Sequence, residues 1–368
     1  MTRTYPRART AGAVLATSAL LLTACGDDGD SAAEGGEDVG SQDADFLTIA
    51  TGGSSGVYYQ IGATMADLLA DELGADTSVQ ATGASAENIN LLTDGNAEIA
   101  FTMGDATVQA LEGTGPFEDD PRDGLLAIMT MYPNTVQLIA RDGAGIESVE
   151  DLAGANVAVG DVGSGVELNA QVVLGAYDMS YDDINEDYLS YAEATDQMAN
   201  GHIDALFATS GLPNPSLTEL ATNTDFITVP IDGEGRENLL SEYEFFGESV
   251  IPAGTYQDEE DVETVSVTNH LLASSELSEE AVYDITAALF DNIDRIHASH
   301  AEAENITLET ATDGLVVPLH PGAAQYFEEQ GVDTGAEDAE DGDADDADDA
   351  DDADDAAEDD AEDEGDDE

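Results

Sequence analysis

The chain has 368 residues, of which 83 are Asp or Glu and seven are Arg or Lys, giving a formal net charge of −76. Its hydrophobic fraction of 42% supplies a core, which excludes a wholly disordered chain. A nucleic-acid binder is excluded because phosphate contacts need clustered basic residues. The single Cys excludes an intrachain disulfide. No apolar run beyond the N-terminus reaches the ~18 residues of a membrane span.

The negative charge is not confined to the acidic ends of the chain. Residues 46–336 still hold 53 acids against four Arg. Such repulsion weakens a compact fold in dilute buffer and is screened at high salt, where the Debye length falls to about 3 Å at 1 M. The composition therefore predicts a halophilic acidic protein in a salty extracellular setting.

The N-terminus is typical of a secretory signal. Arg3, Arg7 and Arg9 precede a short apolar stretch at residues 11–22. Residues 22–25, Leu-Thr-Ala-Cys, resemble the bacterial lipobox, and this resemblance implies cleavage before Cys25 and a lipid on its sulfur. We expect a lipoprotein signal peptide at 1–24 and an acidic linker at 25–45, with the protein anchored to the outer face of the cell membrane. An ordinary signal peptide with an incidental Cys is the alternative.

Strand-like and helix-like patterns then alternate along the chain. A β-type run at Phe46–Ala50 leads into a helical pattern at Val57–Leu73 that Gly74 should end. Similar cycles follow, with strands expected at 79–81, 99–103, 157–159 and 203–208 and helices at 86–92, 106–111, 166–177 and 279–297. This alternation predicts an α/β protein with largely parallel sheets.

The length of this region, about 290 residues, favours two lobes over a single core. We expect crossings between the lobes at 135–140 and 249–255. The first lobe is then discontinuous, formed by 46–140 and 251–335, and the second lobe is formed by 141–250. Residues 336–368 consist largely of Asp-Asp-Ala repeats and are predicted to be a disordered acidic tail.

Two glycine–serine loops each follow a strand and open a helix, one in each predicted lobe. They are residues 52–56 (Gly-Gly-Ser-Ser-Gly) and 160–165 (Gly-Asp-Val-Gly-Ser-Gly). Helix N-termini offer unpaired backbone N–H groups and a partial positive charge, so such loops suit an anion. Tight βα turns without a ligand remain the alternative. The first loop also matches the nucleophile elbow with Ser54, but no His carries a supporting signature. His297 and His300 have metal-ligand spacing, although a solvated helix end is the simpler interpretation.

The loops are part of a longer resemblance. Residues 51–59, 81–88, 131–133, 159–165, 209–213, 251–256 and 317–322 resemble, in order, the signature blocks of the TAXI family, the solute-binding subunits of TRAP transporters. The resemblance implies a two-lobe periplasmic-binding-protein fold of type II-like topology. It implies capture of a small organic anion, a dicarboxylate or an acidic amino acid, and delivery to TRAP permease membrane subunits driven by an ion gradient. It implies no enzymatic activity, no cofactor and no metal.

The resemblance also implies a set of ligand contacts. They are Gly53, Ser54, Ser55, Tyr58, Ser85, Asn88 and Tyr132 from the first lobe, and Ser164, Gly165, Val166, Asn169, Ser210 and Gly211 from the second. Two positions depart from the family pattern: Val166 stands where Thr is usual, and Asn134 stands where Glu is common. Two other functions stay open, a lipid-anchored serine hydrolase using Ser54 and the ligand-binding subunit of a membrane sensor.

Overall fold

A computed structural model of the chain describes residues 39–243 and 245–335. The predicted signal peptide, Cys25 and the predicted acidic tail at 336–368 lie outside the described residues, so these predictions stay untested. The first lobe begins with three strand–helix pairs: β1 (Phe46–Ala50), α1 (Val57–Leu73), β2 (Asp76–Gln80), α2 (Ser85–Thr93), β3 (Ile99–Met103) and α3 (Gly104–Glu112).

The middle of the chain forms the second lobe. A long strand, β4 (Leu126–Arg141), leads into β5 (Asn156–Ala158), α4 (Gly165–Ala176), β6 (Asn185–Asp187), α5 (Tyr191–Ala199), β7 (Ala205–Ser210), α6 (Pro215–Ala221), β8 (Phe226–Val229), α7 (Gly233–Glu242) and β9 (Phe246–Ile251). A second long strand, β10 (Val262–Ala273), returns to the first lobe, which is completed by α8 (Glu279–Asp291), α9 (Ile293–His297) and α10 (Pro321–Gln330).

The strands form one curled sheet in the order β2-β1-β3-β10-β4-β7-β5-β6, with β8 on β4 and β9 on β10. The pairs of β1 with β2 and β3, and of β5 with β6 and β7, are parallel as expected. All pairs of β4 and β10 are antiparallel, so the sheet is mixed and the expectation of largely parallel sheets was too broad.

The two long strands β4 and β10 pass through both lobes. The first crossing, expected at 135–140, lies on β4, whose Thr135–Ala140 segment pairs with β7. The second long strand is β10, whereas 249–255 contains the end of β9 and the turn after it. Val265 and Val267 of β10 pack in the core of the second lobe. The lobe boundaries stay predictions, and this packing favours a second boundary within β10 instead of at residue 250.

Helix α1 carries the apolar stripe that its spacing predicts. Ile61, Met65, Leu68 and Leu69 are buried in the first-lobe core. Gly74 ends the helix in the left-handed region, at φ 73°, and its N–H bonds the Ala70 carbonyl. The single helix predicted at 279–297 is instead broken at Asn292, whose φ of −119° is not helical.

Candidate functional site

A cavity of about 50 Å³ lies between the lobes, where both glycine–serine loops meet. That volume exceeds the roughly 10–15 Å³ that one water requires, so the space admits a small molecule or a few waters. Residues of both lobes line it: Gly52, Gly53, Gly56, Val57, Tyr58, Thr82, Gly83, Ala84, Met103, Asn134, Gly160, Asp161, Ser164, Val166, Leu189, Ser190, Tyr191, Thr209 and Ser210.

The first loop brings the N-terminus of α1 to the cavity. Gly56 is its N-cap and offers no side chain, so no side-chain oxygen caps the first turn of the helix. The N–H of Gly56 itself bonds the carbonyl of Gly53. With Gly56, Val57 and Tyr58 in the cavity wall, backbone N–H groups and the positive end of a 17-residue helix are available to a ligand.

The second loop brings the N-terminus of α4 to the same cavity. Ser164 is the N-cap, and its Oγ accepts a hydrogen bond from the Glu167 N–H at 3.2 Å. Gly160 has a φ of 99°, and a Cβ there would lie 2.7 Å from Val166 Cβ, so only glycine fits. The loop is thus held tightly against the first turn of its helix.

Ala84 adds a strained position to the wall. Its φ of 71° and ψ of −141° lie in a region that L residues rarely occupy. Strain of this kind costs on the order of 1–3 kcal/mol and collects at binding sites.

A hydrogen-bonded chain of side chains fixes one wall. Tyr58 donates its hydroxyl to Asn269 Oδ1 at 2.6 Å and accepts a hydrogen bond from Asn134 Nδ2 at 3.1 Å. The Oδ1 of Asn134 and the Oγ1 of Thr209 are buried without a hydrogen-bond partner among the described residues. Both side chains line the cavity, so their free oxygens are available to a ligand.

The lobes are held closed by contacts on both sides of the cavity. The Ala86 N–H of the first lobe bonds the Gly163 carbonyl of the second at 3.4 Å. The Leu212 N–H of the second lobe bonds Glu302 Oε1 of the first at 2.9 Å. We refer to this arrangement, with the two lobes in contact, as the closed form.

A buried acid–amide pair also joins the lobes. Asn169 Nδ2, on α4, donates to Asp105 Oδ2, on α3, at 2.6 Å, and both side chains are fully buried. Burial raises the pKa of Asp105 to about 7, although hydrogen bonds from the Ala106 backbone and the Asn169 side chain act in the opposite direction. The other oxygens of the pair, Asp105 Oδ1 and Asn169 Oδ1, have no hydrogen-bond partner in the part of the chain that the structure describes.

The structure brings five of the thirteen predicted ligand contacts into the cavity wall. These are Gly53, Tyr58, Ser164, Val166 and Ser210. Ser210 is held by hydrogen bonds from Gln137 Nε2 and Asn214 Nδ2.

The other eight predicted contacts lie outside the wall. They are Ser54, Ser55, Ser85, Asn88, Tyr132, Gly165, Asn169 and Gly211. Asn88 connects β1 with β3, since its Nδ2 donates to the carbonyls of Thr51, directly after β1, and of Phe101, within β3. Ser85 Oγ accepts from the Met103 N–H, and Tyr132 is buried in the first-lobe core. Gly165 approaches Met103 of the opposite lobe. These eight roles stay predictions without geometric support in the closed form.

The residues that sequence reasoning missed come mainly from segments between the loops. Tyr191 donates its hydroxyl to the Thr209 carbonyl at 2.8 Å and faces Gly56 of the first lobe. Asp161 lies within the second loop, and the family resemblance does not place it among the ligand contacts. The resemblance marks Asn134 only as a departure from the family pattern. The position of a polar residue inside the second glycine–serine loop is the one signal in the sequence that indicates Asp161.

The four Arg of the described residues all lie away from the cavity. Each forms an ion pair with an acid: Arg122 with Asp120, Arg141 with Asp204, Arg236 with Glu248 and Arg295 with Asp71. A 2.9 Å ion pair holds Arg141 at Asp204, outside the residues that line the cavity. A ligand anion must therefore rely on backbone N–H groups and neutral side chains.

The two other candidate sites, a nucleophile at Ser54 and a metal site at His297 and His300, lack the required geometry among the described residues. Ser54 is exposed, outside the cavity wall, and makes no side-chain hydrogen bond with another described residue. His297 and His300 bond the carbonyls of Ile306 and Pro213. Within residues 39–243 and 245–335, no group of three or more His, Cys, Asp or Glu is arranged to hold a metal ion. In the same residues, no helix has the length and apolarity to cross a membrane.

Replacing Ser164 by Ala should destabilise the protein and also weaken binding. Loss of the N-cap costs about 1 kcal/mol of unfolding free energy, and the cavity loses a hydroxyl. Ser278→Ala is the matched control, because Ser278 caps α8 in the same way, accepting from the Ala281 N–H at 3.1 Å, and does not line the cavity. Urea unfolding should show similar losses for both variants, and calorimetry should show weaker binding for Ser164→Ala alone. Equal affinities would contradict a role for Ser164 in binding.

Residues 49–331 match the NMT1-like family. The chain belongs to the NMT1-like family. Three solved structures are similar to it at low identity. MatC from Rhodopseudomonas palustris with bound malate has a TM-score of 0.50 at 14% identity, covering 77% of this chain and 96% of MatC.

The other two are more distant. The periplasmic aliphatic sulphonate binding protein SsuA from Escherichia coli has a TM-score of 0.42 at 15% identity, covering 77% of this chain and 78% of SsuA. Arginine-bound ArgBP from T. maritima, a Gly52Ala mutant in its own numbering, has a TM-score of 0.42 at 13% identity, covering 67% and 95%. The likeness to MatC, together with the two-lobe topology, shows the fold of the periplasmic binding proteins, with a discontinuous first lobe.

Proposed function

We propose that this protein is an extracytoplasmic solute-binding protein of a TAXI-type TRAP transporter. It captures a small organic anion, a dicarboxylate or an acidic amino acid, between its lobes and delivers it to TRAP permease membrane subunits. The observation that carries the proposal is the cavity lined by the N-termini of α1 and α4 from opposite lobes. Lipid anchoring through Cys25 belongs to the proposal and rests on the lipobox resemblance alone.

The cavity can hold an anion without an arginine. Each helix N-terminus contributes about 0.3–1 kcal/mol, rising to ~2 kcal/mol when partly buried. Each hydrogen bond to a charged group adds about 1.5–3 kcal/mol. A few such bonds suffice for micromolar affinity, which corresponds to about −8 kcal/mol.

The alternatives have less support. A serine hydrolase needs an accessible His beside Ser54, and the described His residues that hydrogen-bond bind backbone groups elsewhere. Ester turnover that Ser54→Ala abolishes would establish it. A ligand-binding subunit of a membrane sensor would use the same cavity, and the partner that co-purifies from membranes distinguishes a sensor from a permease.

The test is a thermal-shift screen of carboxylates and amino acids at high salt, followed by calorimetry. A ligand present at about 100 times its Kd should stabilise the protein by roughly 2.7 kcal/mol. Gly53→Val is the decisive variant. Gly53 lines the cavity, and a Cβ there meets nothing within 4 Å, so valine adds bulk at the wall without a clash in the fold.

Gly53→Val should leave the melting temperature of the ligand-free protein unchanged and lower affinity by at least about tenfold, or 1.4 kcal/mol. Gly175→Val, at an open and exposed position on α4, is the matched control and should bind as the wild type does. Unchanged affinity in Gly53→Val would place the ligand outside this cavity and overturn the proposal.

A further inference from the structure

The cavity wall has an unusual charge balance for an anion site. Among the described residues that line it, Asp161 is the single carboxylate, and none is Arg, Lys or His. Asp161 is partly buried, and its side chain receives no hydrogen bond from a described residue. A ligand bearing only negative charge would meet an unpaired carboxylate at this point.

Two further carboxylates, one from each lobe, interact electrostatically with Asp161. Burial raises the pKa of Asp161, and the negative charges of Glu193 on α5 and Glu87 on α2 raise it further. Both neighbours have their own donors: Glu87 accepts from the Gly83 N–H at 2.6 Å, and Glu193 accepts from the Ser190 hydroxyl at 2.7 Å. Of the three carboxylates, Asp161 is the one that accepts no hydrogen bond from a described residue.

Lobe closure brings Glu87 of the first lobe towards Asp161 of the second. Because like charges repel, closing the lobes without a cation brings two negative charges together and costs electrostatic free energy. A cation placed at Asp161 reverses the sign of that contribution and stabilises the closed form.

We propose that the ligand carries a protonated amine, and that Asp161 accepts a charge-assisted hydrogen bond from it. This inference rests on the proposed function and makes Asp161 a specificity-determining residue of the site. The ligand is then an amine-bearing organic acid, with its carboxylate at the N-terminus of α1 and its ammonium at Asp161. A dicarboxylate without nitrogen is disfavoured.

The surroundings fit an ammonium better than a metal ion. The carboxylates near Asp161 are not grouped as metal ligands within the described part of the chain. The remaining wall includes the aromatic rings of Tyr58 and Tyr191, whose faces attract organic cations. The aliphatic side chains of Val57, Val166 and Leu189 suit a carbon skeleton.

The experiment compares pairs of ligands that differ by one amine. Calorimetry on the full protein at high salt would use L-glutamate with glutarate, L-aspartate with succinate, and L-leucine with 4-methylpentanoate. The amine-bearing member of at least one pair should bind the wild type about tenfold or more tightly than its partner. Asp161→Asn should remove that preference by weakening the amine and leaving the deaminated acid unchanged or tighter.

Asp187→Asn is the matched control, because it makes the same change at an exposed position on β6 outside the cavity wall. It should keep the wild-type preference. Tight binding of a deaminated acid with no preference for its amine would overturn the amine inference and leave the proposed function standing. An amine preference that survives Asp161→Asn would also overturn it. Absence of binding by every pair would instead contradict the proposed function, and the inference with it.

Discussion

Replacing Gly165 by Val should lower ligand affinity by well over about tenfold, or 1.4 kcal/mol, by keeping the lobes apart. A Cβ at Gly165 would lie 2.5 Å from Met103 Sδ and 3.0 Å from its Cε. Met103 ends β3 of the first lobe and is almost fully buried, so it has little room to move away. Because Gly165 and Met103 belong to opposite lobes, separating the lobes would relieve the collision. Calorimetry with a ligand identified in the screen measures the loss.

Gly175→Val separates this effect from a general effect on α4. It places the same side chain in the same helix at an exposed position where nothing lies within 4 Å. It should bind as the wild type does. Small-angle scattering should show a more extended particle for Gly165→Val in the presence of ligand. Normal affinity and a compact particle for Gly165→Val would show that Met103 accommodates the valine.

Local sequence patterns determine much of this fold. The apolar spacing of α1 and the glycine after it are sufficient to place both helix ends, because burial and capping act over one or two turns. The long strand β10 is harder to predict. Asn269 and His270 interrupt its apolar pattern, yet both are fully buried. Their partners, the Tyr58 hydroxyl and the Gly314 carbonyl, are distant in sequence, so no local pattern reveals the strand.

The sequence predicts where the site lies better than it predicts which residues line it. Glycine–serine loops ahead of helices indicate where two lobes meet a ligand, and both loops reach the cavity. The sequence does not show whether a buried amide side chain binds a ligand or another part of the protein. Asn88 and Asn169 donate their hydrogen bonds to the protein itself. Tyr191 enters the cavity through the packing of α5, which no spacing rule specifies.

Replacing Asp105 by Asn should stabilise the closed protein above neutral pH. Asp105 has a pKa of about 7 in the fold, well above its ordinary value of 3.8, because burial disfavours the carboxylate. The folded state therefore holds a proton that the unfolded state releases between pH 4 and 7, and wild-type stability is lost as pH rises through that window. The loss reaches roughly 4 kcal/mol, since each pKa unit corresponds to about 1.4 kcal/mol. Asn does not ionise, so the Asp105→Asn variant should not lose stability over this pH range.

Urea unfolding of both proteins from pH 4 to pH 8 at fixed high salt measures the difference. The curves should agree near pH 4 and separate towards pH 8, with Asp105→Asn the more stable. Asp187→Asn reports the general effect of removing one acid from this chain and should follow the wild type. Parallel curves for wild type and Asp105→Asn would show that folding does not raise the pKa of Asp105.

The same proton should couple pH to ligand capture. Asp105 and Asn169 belong to opposite lobes, so opening exposes the carboxyl to water and returns its pKa towards 3.8. A proton on Asp105 supplies the donor that the unpaired Asn169 Oδ1 lacks. Tyr58 is the titratable neighbour whose charge interacts with Asp105, and burial holds its pKa far above neutral, so it stays uncharged. Closure therefore takes up a proton, and wild-type affinity should fall as pH rises from 6 to 8, whereas Asp105→Asn should lack the part of that fall that comes from this pair.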